Sequence, residues 1–109
     1  MAKIRAISTT GAKRARALPD VPTAAEQGLK GFDVTTWHAI LAPAKTPPPV
    51  ITRLNTELVR ILNAPEIQDK LMSEGGEVSP TTPAEATAFI RSEVAKWAKI
   101  LKDANIPVE

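Results

Sequence analysis

Proline punctuates this chain more heavily than any other residue and limits what it can fold into. Ten prolines in 109 residues is about twice the usual share of about 5%. Each one fixes φ and removes an amide donor, so a helix cannot run through it and a central strand cannot pair across it. Most stand where an element would begin: Pro47, Pro48 and Pro49 follow Thr46, Pro65 follows Asn63-Ala64, and Pro83 follows Thr82. The chain is therefore divided into short elements with marked starts.

The carboxy-terminal half reads as helices. Thr46 is placed to accept from the orphan amides of a first turn that Pro47 to Pro49 would open. Val50, Ile51, Leu54, Leu58, Ile61 and Leu62 then recur at helical spacing, with Arg53, Glu57 and Arg60 on other faces. Asn63-Ala64-Pro65 ends that helix. Pro65 opens a shorter one carrying Ile67, Leu71 and Met72, closed by Gly75-Gly76 where a left-handed cap is wanted. Thr82-Pro83-Ala84-Glu85 is a capping-box pattern, and Phe89, Ile90, Val94, Trp97, Leu101 and Ala104 continue it as an apolar stripe that Asn105 and Pro107 stop.

The amino-terminal half is mixed. Lys3 to Thr9 is apolar on both faces of a period-2 pattern and ends at Thr10-Gly11, as an interior strand of an α/β sheet would. Leu18 to Thr23 is a stiff connection with two prolines, and Ala24 to Gln27 reads as a short helix stopped by Gly28. Val34 to Leu41, rich in β-branched and aromatic residues, reads as a second strand. The tally is about four helices and two strands. Two strands alone make a marginal sheet in water, so the partner strands come from another chain or from the rest of a larger α/β protein.

Composition narrows the function. The chain has 43% hydrophobic and 24% charged residues, the balance of a globular protein. No apolar run approaches the roughly 20 residues that span a bilayer, and Met1-Ala2-Lys3-Ile4-Arg5 alternates instead of forming a signal core. Lys3, Arg5, Lys13, Arg14 and Arg16 all precede the first acid, Asp20. On a chain of net charge +2, with its aromatics scattered, that run reads as a solvated basic loop and not as a nucleic-acid face. Cysteine is absent, His38 is the single histidine, and no nucleophile elbow, phosphate loop or paired-histidine motif occurs. Catalytic residues, metal ligands and a cofactor site are accordingly not expected.

The residues suited to ligand contact are few. Thr9 and Thr10 follow a strand, where α/β proteins place ligands, although turn threonines also cap local backbone. Trp37 stands among polar neighbours, Thr35, Thr36 and His38, and suits a pocket wall as well as a core. His38 could hydrogen-bond a ligand, but a partly buried strand histidine with a satisfied ring is the commoner case. Phe89 and Trp97 lie on the last helical stripe and are expected in the core.

Two long spans, Lys3 to Arg14 followed by Leu18-Pro19-Asp20-Val21-Pro22-Thr23-Ala24-Ala25-Glu26-Gln27-Gly28, resemble the extracytoplasmic receptors of tripartite tricarboxylate transporters, the Bug family. The likeness continues through Phe32 to Trp37, Leu41-Ala42-Pro43-Ala44-Lys45-Thr46-Pro47-Pro48, Arg53 to Glu57, and Phe89 to Glu93 with Trp97. It implies the carboxy-terminal part of a two-domain α/β protein of the type II periplasmic-binding-protein class, exported to the periplasm, which closes around a small carboxylate and delivers it to a membrane permease. Residues 1–31 would finish the second, ligand-binding domain, and residues 32–109 would cross between domains and return into the first. Thr36, Trp37 and His38 become the best-placed cleft residues, with Thr9 and Thr10 behind them. Two positions depart from the family: Ala39 and Lys45 stand where glycine is common, adding bulk or charge where backbone approach could matter. A second reading, independent of the resemblance, is an interaction module that forms a homo-oligomer through its apolar helix faces or by strand exchange.

Overall fold

The computed structural model describes residues 3–107; Met1 and Ala2, the start of the alternating amino-terminal stretch, and Val108 and Glu109 lie outside the described residues. Among the described residues three helices form: α1, Pro48–Leu62, α2, Pro65–Ser73, and α3, Pro83–Asp103. All three carry proline in the first turn, where the missing amide costs nothing because the first amides of a helix have no intrahelical partner.

The helix ends are set by local chemistry. The Thr82 side chain accepts from the Glu85 amide and the Glu85 side chain accepts from the Thr82 amide, a complete capping box at the head of α3. At the foot of α2 the Gly76 amide donates to Leu71 O and the Gly75 amide to Met72 O, the paired bonds of a Schellman cap. Gly75 sits at φ 82°, the left-handed region a side chain disfavours. Asn105, at φ 54°, closes α3 with the same two bonds, from its own amide to Lys102 O and from Ile106 to Leu101 O. The head of α1 differs from expectation. Pro47 is its cap residue and no side chain caps it; Thr46 stands one residue before the cap, and its amide donates to Pro43 O in a separate turn.

The expected fourth helix and both strands do not appear as regular elements. Ala24 to Gln27 is one hydrogen-bonded turn, too short to offset the cost of nucleating a helix. Neither Lys3 to Thr9 nor Val34 to Leu41 forms a strand; among the described residues the one ladder contact is an isolated parallel bridge between Thr9 and Thr23. Extended backbone becomes a strand only when a neighbour supplies its hydrogen bonds.

The chain divides into two compact units. One contains the segment up to Ile40 together with Ala64–Val78, which holds α2. The other contains Leu41–Asn63 and the segment from Ser79 onward, in which α1 packs on α3. Among the described residues only Thr23 and Ala24 are buried, and no helix buries a residue. The apolar stripe of α3 forms as the spacing requires, yet Phe89 is 42% exposed, Val94 65% and Trp97 38%, so the core expected around them is not closed by this chain. Among the described residues no helix is long and apolar enough to cross a membrane.

Candidate functional site

The first unit is organised around Thr23. Its side chain is 2% exposed, and its hydroxyl accepts from the Glu26 amide at 3.1 Å while Glu26 Oε2 accepts from the Thr23 amide at 2.8 Å. This is a second capping box, on a single turn. The bonds from Gly28 to Ala25 O and from Leu29 to Ala24 O close the turn behind it.

Glu26 has a further partner. Arg14 Nε lies 3.0 Å from Oε2 and Nη2 lies 2.9 Å from Oε1, a forked grip, while Nη1 donates to Pro19 O at 3.2 Å. Consecutive turns at Ala15–Leu18 and Leu18–Val21 bring Pro19 within reach. The Arg14 guanidinium, and after it the Thr23 amide, hold the Glu26 carboxyl down at about 2. The pairing raises Arg14 in turn. Both side chains are half-exposed, so the arginine read as part of a solvated basic loop is committed to one carboxylate. The sequence signal that could have found half of this is Thr23-x-x-Glu26; no local pattern points to Arg14, twelve residues away from Glu26.

The turn and the Thr9–Thr10 segment are bonded in both directions. The Thr9 amide donates to Pro22 O at 2.9 Å and the Ala24 amide donates to Thr9 O at 2.8 Å. Gln27 Nε2 adds a bond to Ile7 O at 3.1 Å. Thr9 Oγ1 is enclosed and makes no hydrogen bond, an uncommon state for a buried hydroxyl.

On its other side the same segment meets residues 33–35. The Val34 amide donates to Thr10 O at 2.8 Å and the Ala12 amide donates to Asp33 Oδ1 at 3.1 Å. Gly11 faces Thr35: a Cβ built on it would lie 3.2 Å from the Thr35 methyl, so glycine permits this approach. The two groups of expected site residues thus stand on neighbouring segments, joined through Asp33, Val34 and Thr35. Thr36, Trp37 and His38 follow directly and are exposed, Trp37 at 40%. Thr10 is exposed and Thr9 half-buried. The arrangement is a polar turn beside the exposed Thr36-Trp37-His38 stretch, which presents hydroxyls, an indole and an imidazole.

Solved structures of the same shape define the class. The periplasmic binding protein BugD superposes on 94% of this chain with a TM-score of 0.79 and 36% identity. The R. palustris protein Rpa4515, solved with adipate, superposes on 90% with a TM-score of 0.77 and 33% identity. The fold is therefore that of part of an α/β periplasmic binding protein. Residues 1–106 match the family model described as tripartite tricarboxylate transporter family receptor, and the chain belongs to that family. Its relatives include a UPF0065 protein from the tcbD-tcbE intergenic region of Pseudomonas sp. strain P51, 36% identical over 91% of this chain, and protein BugT of Bordetella pertussis, 29% identical over 92%. The chain spans about a third of the length of these proteins, 30% and 31% respectively.

Proposed function

We propose that this chain is the carboxy-terminal, ligand-contacting part of a noncatalytic solute receptor, which captures a small carboxylate in the periplasm for a tripartite permease. The observation that carries the reading is its structural likeness, at 33% identity, to a binding protein solved with adipate. In this reading residues 1–31 complete the ligand-binding domain and residues 32–109 cross over and return into the first. Thr36, Trp37 and His38 contact the ligand, with the exposed Thr10 behind them and Thr9, whose hydroxyl is enclosed, supporting it. Hydroxyls and turn amides complement carboxylate oxygens by charge-assisted hydrogen bonds, and the Trp37 ring walls the aliphatic part of the solute. Of the basic residues near the turn, Arg14 is already paired with Glu26, which leaves Lys13 and Arg16 beside the neutral donors for this role.

Calorimetry on a complete receptor rebuilt around this segment, titrated with di- and tricarboxylates beginning with adipate, tests the proposal. Heat with at least one of them is expected; none with any would refute it.

The exposed apolar residues of α1 and α3, Leu54, Ile61, Phe89, Val94 and Trp97 among them, favour a second reading in which these faces seat a second copy of the chain. Light scattering separates the two, since a folded monomer contradicts a self-assembling module.

A further inference from the structure

An unbroken path of hydrogen bonds leads from an exposed arginine to the Thr9–Thr10 turn. Arg14 holds both carboxylate oxygens of Glu26. Glu26 holds the Thr23 amide, and Thr23 holds the Glu26 amide. Of the residues flanking Thr23, Pro22 accepts from the Thr9 amide and Ala24 donates to the Thr9 carbonyl. Thr9 therefore has the orientation that the Thr23 turn dictates, and the turn has the shape that Glu26 imposes.

We propose that Arg14 is a positioning residue for ligand capture: through Glu26 and Thr23 it fixes the backbone of Thr9, whose own hydroxyl is enclosed, and so aims the exposed hydroxyl of the adjoining Thr10 without touching the ligand. The inference rests on the reading of Thr10 as a ligand contact. Arginine suits the task because its planar fork meets two carboxylate oxygens at once and still has an amine for the Pro19 carbonyl, three bonds that a lysine ammonium cannot hold in one plane. Glu26 remains ionised far into acid, so the grip is present throughout the physiological range. Without the fork, Glu26 keeps its bond to Thr23 but loses the anchor that holds its side chain still. The binding-competent turn is then populated only part of the time, and apparent affinity falls by that fraction.

The test uses the complete receptor with adipate as the probe. Arg14→Ala is expected to weaken binding about tenfold, the size of one charge-assisted hydrogen bond, with Arg14→Lys in between. Thr10→Val is expected to weaken it also, and adding Arg14→Ala to Thr10→Val is expected to cost nothing further, because both act through one element. An equal factor in both backgrounds, the mark of general destabilisation, would overturn the proposal, as would wild-type affinity in either single variant. A ligand-independent readout accompanies this: Arg14→Ala should speed amide exchange at Thr9 and Ala24 about tenfold and leave the α3 amides alone. Unchanged protection at Thr9 and Ala24 overturns the positioning role even where the receptor binds no carboxylate, an outcome that by itself refutes only the functional reading.

Discussion

Prepared without any flanking protein, the 109-residue chain is expected to lack a cooperative unfolding transition, and its surface area says why. A compact protein of 11.7 kDa exposes about 5,900 Å², and two separate compact globules of half that mass about 7,100 Å² together; this chain exposes 9477 Å². The excess over even two globules, about 2,400 Å², does not depend on how the two units are placed. With a little over half of such surface apolar and ~25 cal/mol per Å², about 35 kcal/mol of hydrophobic stabilisation is unrealised. That exceeds the roughly 5–15 kcal/mol by which whole domains are stable. Urea titration followed by far-UV circular dichroism and by tryptophan fluorescence is the assay. Trp37 and Trp97 report on separate units. The chain alone should give broad, non-coincident curves with a slope below the ~1–3 kcal/mol/M typical of small domains, and the complete receptor a sharp one. A single coincident transition in a dilute monomer would refute the reasoning, and a transition that sharpens with concentration would point to self-association.

Two further outcomes follow from the helix and turn chemistry. Thr82→Ala removes the acceptor for the Glu85 amide and should lower the helicity of a peptide spanning residues 79–107, by about 1 kcal/mol of helix stability, read by circular dichroism; an unchanged spectrum would mean that the box does not hold in solution. The Thr23 turn should also open progressively in acid. Glu26 titrates at about 2 in the folded turn against 4.5 when free, so the unfolded form binds the extra proton. The ion pair's contribution is complete above about pH 4.5 and disappears as pH falls toward 2. Amide exchange at Thr9, taken relative to its intrinsic rate, should therefore be slow above about pH 4.5 and quicken between there and about pH 2, and Glu26→Gln should abolish that dependence. Protection that does not change across this window would show that Arg14 and Glu26 are not paired.

The helices were legible because their limits are local. Thr82 and Glu85 are three residues apart, Gly75-Gly76 adjoins the helix it caps, and a proline marks the first turn of each helix, so a short window contains the whole cause. Strands differ. Val34 to Leu41 has strand-forming residues, but its partners must come from elsewhere, and propensity cannot supply a neighbour. The stripe on α3 was likewise correct in register and wrong in burial, since spacing assigns a face to a helix without saying what covers it. At the site, Thr9, Thr10, Thr36, Trp37 and His38 could be proposed from position and residue type. Their proximity through Val34 and Thr10, and the Arg14–Glu26 grip, depend on turns that bring distant residues together, which no window of sequence encodes.

The division into two units has a consequence for engineering. Each unit is discontinuous, assembled from two stretches with part of the other unit between them, so the backbone passes from one to the other after Ile40, after Asn63 and after Val78. Simple truncation cannot excise either unit. Shortening the chain from the carboxyl end removes α3 and leaves α1 without the helix it packs on. Cutting before Leu41 isolates the Thr9 turn but discards α2. A library built by crossing this sequence with a relative would keep both units whole only if it exchanged paired segments, Leu41–Asn63 with the stretch from Ser79 onward, or the first stretch with Ala64–Val78.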